Sequence, residues 1–278
     1  MKDLLTEIKN SLYEELGISK EVTRVSNDII SQIIKDSKKL PISKVKTNTI
    51  NYQYNNNLIE VEYVLYYVID EEDFNETRQY ITAGESNKIN TQKYYLKTNI
   101  VYRKDINQYI DYNGMTQHEF EHIYQMIRSG NDLLKDTSID MYGTALSLMK
   151  DDDVIKKLVG YVVYYNNKFE KDAFVNAIYK QIMDNNENTP TQTLKNTITY
   201  QNILTIKTHL IEYQGYKNKI ETIVKTNFNK SYKWLYKMTC NVVKTYISKM
   251  GKILMKAYKD KNNMPLDGNN YENLSDLA

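Results

Sequence analysis

The chain has 278 residues, of which 41% are apolar and 26% charged, enough for one large domain or a domain with an appendage and enough to bury a core. Its 37 basic and 35 acidic residues leave a net charge of +2, which excludes an overall polyelectrolyte footprint for nucleic acid. A single cysteine, Cys240, excludes an internal disulfide framework and a thiolate zinc site.

The first stretch predicts two helices. Leu4, Leu5, Ile8, Leu12 and Leu16 recur at helical spacing over residues 3–16, and Gly17 ends the run. The opening MKDLLTEIKNSLYEEL carries acids and no long apolar run. It reads as neither signal peptide nor transmembrane span, so the expected location is cytoplasmic, or virion-associated for a phage-encoded chain. A second helix is predicted from about Ser19 to Lys38, with Val22, Val25, Ile29, Ile30, Ile33 and Ile34 on one side and Pro41 closing it. Residues 1–44 are thus expected to be helices that pack on the core.

The character changes at Val45. Val45 to Tyr54, Leu58 to Ile69 and Lys93 to Arg103 are rich in Val, Ile, Thr and Tyr and predict strands. Asn55, Asn56 and Asn57 form a turn signal, so the first two runs read as a hairpin. The alternation from Ile59 to Tyr63 fits one wet face, whereas the apolar run from Tyr63 to Ile69 predicts burial on both faces. Asp70 to Asn87 reads as a loop with one helical turn near Glu76 to Tyr80.

Thr116 to Gly130 carries the chemistry. His118, Glu119 and His122 form an H-E-x-x-H motif, and two of the chain's three histidines fall in it. On a helix, residues four apart share a face, so the two imidazoles can meet one metal ion, and Glu119 sits beside them as a general base. Zinc suits two imidazoles, a carboxylate and an open fourth position. Thr116 is a candidate N-cap with Glu119 at capping-box spacing, a role that competes with catalysis, and Gly130 is a candidate stop. The competing reading is a helix whose histidines are only hydrogen-bonded or exposed.

Beyond Gly130 the pattern is nearly all helical. Asp140 to Lys150, Val154 to Tyr165 and Glu170 to Met183 are predicted helices, with Asp151, Asp152 and Asp153 as anions at the start of the second. Together, His118-Glu119-x-x-His122 and the later Glu170-x-x-Ala173 resemble the gluzincin branch of the zincin metallopeptidases. HEFEHIYQ is also similar to the H-E-L-x-H-x-x-Q helix of small bacterial and phage peptidases, with Phe120 in place of the usual Leu. The resemblance covers residues from about 45 to 185. It implies an α+β fold, a mostly helical zincin-like domain with a small mixed or antiparallel sheet, over residues 45–184. It implies Zn2+ bound by His118, His122 and Glu170, with Glu119 taking a proton from water and passing it to the leaving amine. An extended peptide or protein substrate would lie along a sheet edge. Asp172 is the main competitor of Glu170 as third ligand, with Asp140 and His209 more remote, and a plain exposed helix-start acid is the other reading of Glu170. Small Ala173 and Ala177 would let this helix approach the motif helix closely. Gln125 and Arg128 stand where a metzincin has its glycine and third histidine, so that subclass does not fit. With 26 tyrosines in the chain, the sequence nominates no oxyanion-stabilising residue.

The polar stretch around Asn185 to Thr193, with Pro190, reads as the best boundary. A helical C-terminal region over residues 192–261 follows: about Thr193 to Tyr213, Lys217 to Thr226, and an amphipathic helix from Ser231 to Asp260. Leu235, Met238, Val242, Val243, Tyr246, Met250, Ile253 and Leu254 form the apolar stripe of that last helix, against a run of nearly unopposed lysines from Lys230 to Lys261. A solvated face, a docking surface for protein assembly, and a contact with nucleic acid or membrane through residues 231–261 all fit this pattern. Residues 262–278 read as a flexible tail. Two functions follow: a zinc-dependent peptidase or amide hydrolase, and a catalytically silent zincin-like component of a larger assembly, phage particles included.

Overall fold

The computed structural model describes residues 19–39, 44–80, 84–111, 114–129, 139–212 and 214–262. The helix predicted over 3–16, the closing Pro41, the stop at Gly130 and the tail from residue 263 lie outside the described residues. The fold is α+β, with a small mixed sheet and helices that continue to the C-terminal region. The chain divides into two compact units: the described residues of Met1–Gly130 with Ala173–Glu187, and those of Asn131–Asp172 with Asn188–Ala278.

The first unit begins with α1 (Lys20–Ser37), whose N-terminus is capped by the Ser19 hydroxyl accepting from the Val22 N–H. Strands β1 (Val45–Tyr54) and β2 (Asn57–Val68) pair antiparallel around Asn55 and Asn56, both at positive φ (46° and 61°). Asparagine tolerates this left-handed backbone, and such a turn matches the twist of paired strands. β2 runs parallel to β4 (Lys93–Arg103). The far edge of β4 is shared by two short antiparallel strands, β3 (Glu85–Lys88) along its first half and β5 (Gln108–Asp111) along its second.

One sheet face forms the core. Ile50, Ile59, Val61, Tyr63, Leu65, Leu96 and Ile100 pack there with Val22, Val25, Ile29 and Ile33 of α1 and with Phe120 and Ile123 of α3 (Met115–Ser129). The opposite face is wet over most of its area, where Lys93 pairs with Glu60 and Lys97 with Glu62. The two-sided burial expected of Tyr63 to Ile69 is therefore incorrect: Val64 and Tyr66 are half-buried and Ile69 is exposed. Only the end of that face is covered, where Phe74 packs on Val68 and Val101. Phe74 belongs to α2 (Glu71–Tyr80), a full helix where the sequence suggested a single turn. Asp70 starts it, its side chain accepting from the Asp73 N–H.

The second unit holds α4 (Ile139–Met149) and α5 (Val154–Asn166), capped as expected by Asp153, whose side chain accepts from the N–H groups of Ile155 and Lys156. A Cβ on Gly160 would sit 2.7 Å from the Ala145 carbonyl oxygen, so these helices cross at backbone contact. α6 (Lys168–Asp184) is common to both units, because the division falls between Asp172 and Ala173.

After α6, the helical region predicted from about Thr193 to Tyr213 is built of α7 (Pro190–Asn196), α8 (Ile198–Ile206) and a π-helical turn (Lys207–Glu212). Thr197 causes the first break. It caps the end of α7 through its N–H and the start of α8 through its side chain. α9 (Lys217–Phe228) and α10 (Tyr232–Asn262) complete the unit. The apolar stripe of α10 is buried, apart from half-buried Met238. Its lysines are less unopposed than expected: Lys249 pairs with Asp172, and buried Lys256 pairs with Asp260. No helix among the described residues is long and apolar enough to cross a membrane.

Candidate metal centre

The motif helix α3 is held at its N-terminus by three contacts. The Thr116 N–H donates to Asp111 Oδ2 at 2.8 Å, and the Thr116 hydroxyl meets that of Thr98 on β4 at 2.6 Å. Gly114, at φ +64°, lies where a Cβ would stand 2.5 Å from the Ala177 carbonyl oxygen. Thr116 is thus inside the helix rather than its cap, and the capping-box role considered for Glu119 falls away. Asp111 takes the capping part from β5. It is fully buried, and burial pushes its carboxyl up to about 7, against the opposing pull of Lys180 and the Thr116 N–H.

Phe120 faces the core, edge-on to Tyr54 at 5.5 Å between ring centroids. That phase turns His118, Glu119 and His122 away from the apolar packing. His118 and His122 face each other with their Nε2 atoms 3.2 Å apart. Two nitrogens at zinc-ligand distance from one ion in tetrahedral geometry lie about 3.3 Å apart. His118 packs on the ring of Phe174, 4.6 Å between centroids. His122 Nδ1 lies 3.2 Å from Gln125 Oε1. An amide oxygen only accepts, so this contact puts the proton on Nδ1 and leaves the His122 Nε2 lone pair for a metal. Gln125 Nε2 in turn donates to Glu121 Oε1, which fixes the amide's orientation.

Glu170 stands in the first turn of α6, where the Asn167 side chain accepts from the Phe169 N–H. It is 3% exposed, so it is not the exposed helix-start acid of the competing reading. Ala173 and Ala177 lie three and seven residues on, on the same stripe of the helix, and both are buried. The approach of Ala177 to Gly114 brings α6 onto the start of α3 and carries Glu170 with it. Among the described residues, His118, His122 and Glu170 bring one ligand atom each to within 4.8 Å of one another. Asp172 is turned elsewhere and bridges Lys249 at 3.4 Å. His209 is not part of this cluster, and the Asp140 side chain lies outside the described residues. Two imidazoles and a carboxylate form a donor set suited to zinc.

Glu119 is buried beside the cluster, with Oε1 4.0 Å from His118 Nε2. A Cβ on Gly84 would lie 2.9 Å from Glu119 Cγ, so the chain entering β3 passes directly over this carboxylate. Around these residues runs a polar network that the sequence did not announce. Asn176 on α6 donates to Glu121 and accepts from Gln117 and from the Ser19 N–H at the start of α1. Tyr142 of α4 donates to Glu170 Oε1 at 2.8 Å. No periodicity singles out Tyr142, Asp111 or Gly114. Only the positive φ at Gly114 and the burial at Asp111 mark them, and both are visible in three dimensions alone.

Comparison of the chain with known protein families, with curated proteins and with solved structures gives no match.

Proposed function

We propose that the chain is a zinc-dependent hydrolase of peptide or related amide bonds. The observation that carries the reading is the convergence of His118, His122 and Glu170 with a buried, non-ligating carboxylate, Glu119, beside them. A zinc ion in this donor set would supply Lewis acidity towards a substrate carbonyl and acidity to its water. Glu119 would accept a proton at Oε1 and return it to the leaving amine. Gln125 holds His122 in the tautomer that binds metal. β3 ends the sheet among the described strands, and its entry at Gly84 lies against Glu119. An extended peptide adding to that edge would therefore run past the general base.

The test is zinc content by elemental analysis of the purified chain, followed by hydrolysis of a peptide library. About one zinc per chain is expected in the wild type, with loss in His122→Ala and Glu170→Ala. Glu119→Gln should keep the metal and lower hydrolysis by about two to four orders of magnitude. A wild type that takes up no zinc when supplied with it refutes the proposal. A chain that binds zinc, and whose turnover is indifferent to Glu119→Gln, loses the catalytic part and returns to the silent component of an assembly.

A further inference from the structure

Glu170 is held by more than its helix, and the manner of holding bears on how it would bind a metal. We infer that Tyr142 is a positioning residue that makes Glu170 a one-oxygen ligand; this rests on the metal-site reading above. The Tyr142 hydroxyl donates to Glu170 Oε1 at 2.8 Å, inside a pocket where Glu170 is almost wholly buried. A hydrogen bond to a charged acceptor is among the stronger ones available to a side chain, and this one occupies one carboxylate oxygen. On this inference the other oxygen is the one that would meet the metal.

The position of that hydroxyl is set by an aromatic array. The Tyr142 ring stacks on Tyr164 of α5 at 5.6 Å and 26°. Tyr164 meets Tyr165 edge-on at 5.8 Å, and Tyr165 meets Tyr246 of α10 edge-on at 5.3 Å. Tyr165 and Tyr246 are fully buried, and the Tyr165 hydroxyl accepts from Asn202 at 2.8 Å. Rings packed in sequence from three helices leave Tyr142 little freedom to follow a rotation of Glu170. The carboxylate is therefore tied on one side, which is the usual way in which an outer partner orients a ligand and tunes its strength. With both oxygens free, Glu170 could chelate and fill the position that a hydrolase must keep open for water or substrate.

The experiment uses the full chain, zinc and cobalt(II). Zinc affinity is measured by chelator competition for the wild type, Tyr142→Phe and Tyr161→Phe. Tyr161 stacks on Tyr165 and does not touch Glu170 in the described contacts, so its variant controls for loss of a hydroxyl from the array. Tyr142→Phe is expected to weaken zinc binding by about tenfold to a hundredfold. Its cobalt(II) form should lose visible-band intensity, as a four-coordinate ion gains a ligand. Tyr161→Phe should match the wild type in both. A third measurement needs no variant. In the infrared difference between zinc-loaded and metal-free wild type, the ligand carboxylate should show the wide splitting of one-oxygen binding.

A wild type that binds neither metal overturns the site reading and this inference with it. A wild type that binds, but whose Tyr142→Phe variant keeps the same affinity and cobalt spectrum, overturns this inference alone. Narrow, chelate-type splitting in the wild type does the same, even if Tyr142→Phe does not fold. Equal effects of the Tyr142 and Tyr161 variants would reduce Tyr142 to a packing residue and overturn it as well.

Discussion

Replacing Asp111 by Asn removes a buried ionisable group from beneath the motif helix while keeping an oxygen for the Thr116 N–H. Asp111 is fully buried and its carboxyl is raised from 3.8 to about 7, chiefly by desolvation. Lys180 and the Thr116 N–H favour the anion, and Asp184 opposes it. In the unfolded chain the carboxyl loses its proton near pH 4, whereas in the folded chain it keeps it until about pH 7. The folded state thus binds more protons between those limits, and stability falls as pH rises through that window, then levels off. The gap between 3.8 and about 7, at about 1.4 kcal/mol per pH unit, is worth roughly 4 kcal/mol. Urea unfolding followed by circular dichroism, with chelator present to remove metal linkage, measures it from pH 4 to 8. The quantity to plot is the stability difference between Asp111→Asn and the wild type. It should move in favour of the variant as pH rises to 7, by an amount on the order of 4 kcal/mol. A difference that stays flat across that range would refute the buried-charge argument, since every other group is common to both proteins and cancels.

Two further substitutions probe how the helices are set. Gly114→Ala would force a side chain into a left-handed backbone and against the Ala177 carbonyl oxygen, 2.5 Å away. A loss of about 2–4 kcal/mol in chemical denaturation is expected, together with weaker zinc binding as α6 is pushed from α3. Asp153→Ala removes the cap that accepts from Ile155 and Lys156 and should cost about 1 kcal/mol. Asp153→Asn keeps the cap and loses only the exposed pair with Lys219, so a cost under about 0.5 kcal/mol separates capping from charge.

Strands β1, β2 and β4 were legible because their burial alternates with a period of two and their side chains are branched or aromatic. The turn was legible because only a few residue types accept φ near +50°, and three of them stand in a row at Asn55 to Asn57. β3 and β5 were not legible. Each is four residues long, β3 wholly polar and β5 half so, and each pairs with the edge that β4 offers. α2 was hidden for a similar reason: it is acidic, and among its described side chains Phe74 alone ties it to the core cluster it covers. His118, Glu119 and His122 could be read because a fixed spacing of four places two side chains on one face. The preference for Glu170 over Asp172 lay in helix phase. Two positions differ by about 200° around the axis, so only one can share a stripe with Ala173 and Ala177. Spacing alone gives that stripe to Glu170; that it is the stripe which docks at Gly114 is contained in no local pattern.

The distribution of buried polar groups bears on whether the centre is built for chemistry. Gln117, His118, Glu119 and Glu121 on α3, and Glu170 and Asn176 on α6, are all nearly inaccessible, whereas most of the side chains buried on the facing sheet and α1 are apolar. Buried polar and ionic groups are commonly less stabilising than well-packed apolar ones of similar volume, by about 1–4 kcal/mol for an ion pair or triad. A chain shaped for stability alone has no reason to gather them on two facing helices. A metal kept for structure would explain part of the gathering, but such sites are closed by four protein ligands. Here the fourth buried group, Glu119, stands outside the ligand cluster, 4.0 Å from His118 Nε2 and under the backbone that enters β3. A carboxylate in that position adds desolvation cost without adding a ligand, and the proton transfer proposed above is a role that would offset it.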